Sequence, residues 1–299
     1  MSATADISAV QAWVMATRPK TLTAAASPVL VGSGLAVAYG VFAPGPAVVA
    51  LLCSFLLQIG SNLANDYYDF LKGADTEERV GPTRVTQAGL IAPEQVRLAM
   101  VLTLAAAFLL GLSLVWVGGP VVLAIGIASI VSAVAYTGGP YPLGYHGLGD
   151  VFVFLFFGLI AVAGTYYVQA LAWPVEAFVA AIPVGALCTN ILVVNNVRDA
   201  PQDAEVGKRT LPARLGVGFG YAQYDALQIL AYGTPLAFFG WGFGPWVLLP
   251  WLSLPLALKA RGRLRAETGS ALNAVLGMTA GLLFVYSVLF AAGLALGAP

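Results

Sequence analysis

The feature that most limits this chain is its succession of long apolar stretches, separated by short polar segments. A helix that crosses a bilayer needs about 20 mostly apolar residues, because no water inside can satisfy exposed backbone groups. On that rule spans are expected near 22–42, 46–68, 95–116, 119–137, 150–171, 174–196, 219–240, 243–258 and 270–297. The eighth is short. Leu215 to Leu258 is a run of 44 residues without Lys or Arg, but Pro235 and the Gly240–Pro245 stretch divide it, so two spans fit better than one. The expected fold class is all-α: a polytopic membrane protein whose nine transmembrane helices form a single domain over residues 1–299.

Charge sets the expected orientation. Arg18 and Lys20 precede the first span. Lys72, Arg79, Arg84 and Arg97 lie in or beside the segment between spans 2 and 3. Arg198, Lys208, Arg209 and Arg214 follow span 6, and Lys259, Arg261, Arg263 and Arg265 precede span 9. These are all 14 basic residues, and nine spans place all four segments on one side. The positive-inside rule makes that side cytoplasmic, with the N-terminus in, as for a multi-pass protein of the inner membrane. Trp116, Trp173, Trp241 and Trp246 fall toward the other side, where an aromatic belt belongs. Residues 1–17 lack the basic start of a signal peptide and carry Asp6 and Gln11. Ile7, Val10 and Val14 have helical spacing, so residues 1–20 are expected to lie on the cytoplasmic membrane surface.

Composition narrows the chemistry. With 59% hydrophobic and 9% charged residues, a soluble or disordered protein is excluded. Zero net charge offers no basic surface for nucleic acid. Cys53 and Cys188 sit inside apolar runs and His146 is the only histidine, so nothing has zinc or iron spacing. Carboxylates, amides, tyrosines and basic groups remain.

Two aspartate-rich cytoplasmic segments, 62–92 and 195–216, each start inside an apolar helix and run into a charged loop. On a helix Asn62, Asp66 and Asp69 fall within about 60° of one another, and Asn195, Asp199 and Asp203 within about 80°. Each helix thus carries an amide and two carboxylates on one stripe. Lone acids at a helix end commonly form salt bridges, but two matching stripes at a bundle mouth suit a hard cation. Mg²⁺ takes oxygen ligands and usually binds one or two carboxylates plus substrate phosphates. Lys72, Arg84, Lys208 and Arg209 follow closely and suit the remaining phosphate oxygens. The expected site holds a diphosphate through Mg²⁺ between two helices. A third segment, Tyr136–Asp150, is rich in Gly and Pro. It reads either as a plain re-entrant turn or as a lid over an aromatic substrate, with Tyr136, His146 and Asp150 as its polar candidates.

At these residues the chain resembles the UbiA superfamily of intramembrane prenyltransferases, and within it the 1,4-dihydroxy-2-naphthoate polyprenyltransferases of menaquinone synthesis. The pieces that carry the resemblance are RPKT at 18–21, NLANDYYDFLKGAD at 62–75, YTGGP and GYHGLGD within 136–150, and NNVRD and GKRTL within 195–211. Asp66 and Asp69 are three apart where the wider superfamily commonly has four. Pro140 stands four residues after Tyr136, where some members have lysine. The resemblance implies a nine-helix bundle in which Mg²⁺ is held by Asp66, Asp69, Asp199 and Asp203 with Asn62 and Asn195. It implies transfer of a polyprenyl group from polyprenyl diphosphate to 1,4-dihydroxy-2-naphthoate, with loss of CO₂ and formation of demethylmenaquinol. Arg18 and Lys20 become candidates for the acceptor carboxylate. The alternatives are another acceptor, such as 4-hydroxybenzoate, or a transporter. Against transport, the polar groups crowd one side and no acid pair lies near a span midpoint.

Overall fold

The computed structural model describes residues 7–73 and 80–299; Asp75 and Arg79 lie outside them. The described residues form eleven α-helices joined by turns and 3-10 segments. These are α1 (Ala9–Thr17), α2 (Leu22–Ala38), α3 (Pro44–Leu71), α4 (Pro93–Gly118), α5 (Pro120–Ala135) and α6 (Gly149–Ala170). Then follow α7 (Val175–Glu205), α8 (Leu211–Leu215), α9 (Val217–Gly233), α10 (Leu254–Ala266) and α11 (Leu272–Leu296). Among the described residues six stretches are long and apolar enough to cross a membrane: Ala9–Ala38, Pro44–Leu71, Pro93–Gly118, Gly149–Ala170, Val175–Glu205 and Gly269–Leu296. α5 is a shorter apolar helix.

The element ends follow local chemistry. Prolines open α3, α4 and α5, where a missing N–H costs nothing. Ser8 and Gln11 close a capping box on α1. Arg18 adopts a left-handed conformation (φ 50°) and turns the chain from α1 toward α2. α3 and α7 run beyond the expected span limits of 68 and 196, to Leu71 and Glu205, so both aspartate stripes are helical. The region expected as spans seven and eight is irregular. α9 continues as a 3-10 stretch, Thr234–Trp241, and a second one, Pro245–Ser253, precedes α10. Pro235, Pro245 and Pro250 remove the donors an α-helix needs there. α10 extends to Ala266, past the expected end at 258, and so carries the basic run from Lys259 to Arg265.

α7 is the hub. It packs against α2, α6, α9 and α11, and Val184, Leu187, Val193 and Val194 are wholly buried. One core joins α2, α6, α7, α9 and α11 around Val31, Leu35, Leu187, Tyr286 and Phe290. Close approach depends on small residues, as at many intramembrane interfaces. A Cβ on Gly34 would lie 2.6 Å from Ala291 Cα, and one on Gly158 would lie 2.7 Å from Gly185 Cα. Gly158 sits in a π-helical turn of α6, Phe154–Ile160. A second core seats α1 and the loop before α4 on α3, through Ala12, Ala16, Leu63, Ala64, Val85 and Ile91. The small face of α1 therefore packs inward, while Val10 and Val14 point out. Leu98, Val101, Leu102 and Leu109 leave α4 with an apolar outer face, as lipid contact requires.

Candidate active site

The last turns of α3 and α7 face one polar chamber of about 320 Å³. Asn62, Asn65 and Asp69 come from α3, and Asn195, Asp199 and Asp203 from α7. Arg18, Arg84 and Lys208 reach it from the connecting segments, and Tyr136, Thr137 and Tyr145 from the turn between α5 and α6. Two stripes that start 133 residues apart in sequence, at Asn62 and Asn195, thus meet at one cavity, because α3 and α7 both end there.

Asp69 is held from three sides. Its Oδ2 accepts from Arg84 Nη2 at 2.9 Å and its Oδ1 from the Tyr145 hydroxyl at 2.8 Å, with Lys208 Nζ 3.9 Å from Oδ1. Asp66 behaves differently. It is buried, lines no part of the chamber, and accepts backbone N–H bonds from Val85 at 3.2 Å and Thr86 at 3.0 Å. It fixes the turn that delivers Arg84. Asn62 donates to Thr17 O at 3.0 Å and Thr21 Oγ1 at 2.9 Å, and accepts from Gln58. It fastens the Arg18–Thr21 turn to α3.

On α7, Arg198 grips Asp199 with two bonds of 2.7 Å, from Nε to Oδ1 and from Nη2 to Oδ2. The same guanidinium donates to Asn195 Oδ1 at 2.7 Å and to Asn273 Oδ1 at 2.6 Å. Asn273 in turn donates to Val80 O at 3.0 Å, so this network ties α7 to α11 and to the first motif loop. Asp203 Oδ2 accepts from the Thr210 hydroxyl at 3.2 Å.

The other expected residues divide. Arg18 and Tyr136 line the chamber. Lys72 does not line it, but donates to Thr137 O and lies over the Tyr145 ring. Partial desolvation lowers the Lys72 pKa; Asp69 opposes this shift and the Lys208 charge adds to it. Lys20 and Arg209 are exposed and outside the lining. His146 stacks on Tyr141, with ring centroids 3.7 Å apart, and Asp150 accepts from Gln223 at 2.8 Å; neither lines the chamber. The third segment therefore meets the site through Tyr136, Thr137 and Tyr145. Sequence reasoning missed Tyr145 and Arg198. Arg198 had a signal, as a cation inside the second motif adjacent to Asp199; Tyr145 had none beyond its place in the turn.

The donor set fits Mg²⁺. Asp69, Asp199, Asp203 and Asn195 offer hard oxygens around one cavity. Among the described residues no three acids or thiols gather into a self-sufficient metal cluster.

An apolar cavity of about 240 Å³ begins where the polar one ends. Gln58, Ser61, Tyr136, Val153 and Phe157 line both. It runs between α3, α4, α5 and α6 toward Leu114, Val122 and Tyr167. Tyr167 is braced there: its hydroxyl donates to Gly118 O at 3.0 Å and its ring stacks on Trp173 at 4.3 Å.

Comparison with known proteins agrees with this architecture. Over 286 residues the chain is 39% identical to the 1,4-dihydroxy-2-naphthoate octaprenyltransferase of Mycobacterium tuberculosis, covering 95% of this chain and 97% of that one. It is 38% identical over 303 residues to the Escherichia coli K12 protein of the same name, covering 97% and 96%. A solved UbiA homolog from Archaeoglobus fulgidus, bound to GPP and Mg²⁺, has the same fold at 15% identity. Its TM-score is 0.67, with 93% of this chain and 99% of that one covered. Residues 25–288 match the family described as the UbiA prenyltransferase family. With a chamber shared by two aspartate helices and a match over most of its length, the chain belongs to the UbiA prenyltransferase family.

Proposed function

We propose that this prenyltransferase moves a polyprenyl group from polyprenyl diphosphate to 1,4-dihydroxy-2-naphthoate, with loss of CO₂, yielding demethylmenaquinol. The observation that carries the reading is the junction of an acid- and cation-lined chamber with an apolar cavity. That is the shape a diphosphate with a hydrocarbon tail needs. The acceptor rests on the relatives' names. The bundle crosses an inner membrane nine times, with its N-terminus and chamber on the cytoplasmic side.

Asp69, Asp199 and Asp203 are the residues that would hold Mg²⁺, with Asn195 beside them. Asp66 serves through the Val85–Thr86 turn and Asn62 through the Arg18–Thr21 turn. When bound, Mg²⁺ supplies Lewis-acid stabilisation of the leaving diphosphate. Arg84, Lys72 and Lys208 neutralise its remaining charge as the allylic C–O bond breaks. Phe157 and Tyr136 border the place where the allylic end would rest, and the apolar cavity keeps water from the cation. Arg18, in the chamber wall, is placed for the acceptor carboxylate; Lys20 and Arg209 are placed for outer electrostatic support. Attack by the ring carbon bearing the carboxylate breaks aromaticity, and loss of CO₂ restores it without a strong base.

The test is incubation of purified protein with Mg²⁺, carboxyl-labelled 1,4-dihydroxy-2-naphthoate and polyprenyl diphosphates of several lengths. Labelled CO₂ should appear in step with prenylated product, identified by mass. A product that keeps the label, or prenylation of 4-hydroxybenzoate alone, overturns the acceptor assignment.

A further inference from the structure

Tyr145 stands between the two aspartate motifs and touches both. Its hydroxyl donates to Asp69 Oδ1 at 2.8 Å. Its ring lies under the ammonium groups of two lysines, Lys72 Nζ at 4.8 Å and Lys208 Nζ at 4.6 Å from the centroid. One lysine follows the first motif and the other the second, 136 positions later in the chain. The turn that carries the tyrosine is stitched to the second motif by its backbone, since Arg209 N–H donates to Tyr145 O at 2.8 Å. Gly147, at φ 75°, permits the approach: a Cβ there would lie 2.7 Å from Arg209 O.

We propose that Tyr145 is the positioning residue of the diphosphate subsite, its ring holding Lys72 and Lys208 and its hydroxyl orienting Asp69. This rests on the donor half of the function proposed above. The physical reason is a compromise. Two ammonium groups held near one another repel, and something must gather them before the anion arrives. Asp69 lies beside them, 3.9 Å from Lys208, but its oxygens are already engaged by Arg84 and Tyr145, and a further carboxylate would compete with the diphosphate for both lysines. A neutral aromatic face attracts cations by its quadrupole and adds no net charge. The lysines therefore stay in place and still transfer readily to phosphate oxygens. The hydroxyl completes the arrangement: it takes one oxygen of Asp69 while Arg84 takes the other, so the carboxylate has a fixed plane.

The ring and the hydroxyl are separable by substitution. Full-length wild type, Tyr145→Phe and Tyr145→Leu are compared for donor KM, acceptor KM, kcat and binding of inorganic diphosphate with Mg²⁺ by calorimetry. Tyr145→Leu should weaken donor and diphosphate binding about tenfold, the scale of two lost cation–ring contacts, and leave acceptor KM unchanged. Tyr145→Phe should bind diphosphate nearly as wild type does, but need more Mg²⁺ for half-maximal rate. A Leu variant that binds diphosphate like wild type overturns the proposal, and so does a Phe variant as weak as Leu. If Leu does not fold, the Phe variant decides through its Mg²⁺ requirement, and an unchanged requirement overturns the hydroxyl's role. Wild type that binds diphosphate but does not prenylate the naphthoate leaves Tyr145 in place and removes only the acceptor assignment. Wild type that binds no diphosphate removes both.

Discussion

Arg84 Nη2 lies 2.9 Å from Asp69 Oδ2, with only 6% and 4% of the two side chains exposed. The pair joins the loop after the first motif to the last turn of α3 across the floor of the chamber. A buried carboxylate needs such a partner, and removing one member of a buried pair commonly costs about 3–5 kcal/mol. Any cation or phosphate that reaches Asp69 must share it with this guanidinium.

Asp69→Asn should therefore lower turnover at least ~100-fold, the usual effect of deleting a key electrostatic group. EDTA should abolish wild-type activity and added Mg²⁺ should restore it. Steady-state assays in detergent or nanodiscs check both, and near-normal turnover of Asp69→Asn would take that carboxylate out of the ion site.

Asp66→Asn should also lower turnover, but by loosening a turn. An amide side chain accepts one of the two N–H groups of Val85 and Thr86 and turns its own NH₂ toward the other. An unsatisfied buried donor costs roughly 1–3 kcal/mol, enough to free the segment that carries Arg84. Limited proteolysis should then cut near residues 80–90 faster than in wild type. Unchanged cleavage together with lost activity would place Asp66 in the chemistry directly.

Gly158→Val should lower thermal stability. Its first new atom would meet the Gly185 backbone rather than a flexible side chain, so α6 and α7 must separate. Overpacking of this kind costs about 1–3 kcal/mol. The same shift displaces Phe157, so turnover should fall as well. A melting temperature equal to wild type would show that the two helices part without penalty.

Cysteines placed in the 80–92 and 206–210 segments should react with a membrane-impermeant reagent only from the cytoplasmic side, and cysteines near Gly119 or Gly242 only from the other. Reaction of the two motif segments from opposite sides would be incompatible with a shared chamber.

The all-helical fold was legible because bilayer thickness and backbone hydrogen bonding leave few choices for a chain so apolar. The aspartate stripes were legible because side chains repeat every 3.6 residues whatever the helix packs against. Asn62, Asp66 and Asp69 do lie on one continuous helix, as do Asn195, Asp199 and Asp203. The broken stretch from Thr234 to Ser253 was marked by its prolines, although not its 3-10 form. Local pattern determined each of these, and the sequence carries local pattern openly.

Only the tertiary structure decided which way each polar group turned. Asp66 and Asp69 share a stripe, yet one binds backbone N–H groups of a distant loop and the other faces the chamber, because the Val85–Ile91 segment folds back onto α3. Tyr145 and His146 are neighbours, and the sequence pointed to His146 rather than Tyr145. The bond from Arg209 N–H to Tyr145 O accompanies the first facing the two lysines, while the second stacks on Tyr141. Arg198 read as a topology anchor until Asn273, 75 residues away, met it beside Asp199. These choices depend on contacts between segments far apart in sequence, and such contacts leave no periodicity for the chain to display.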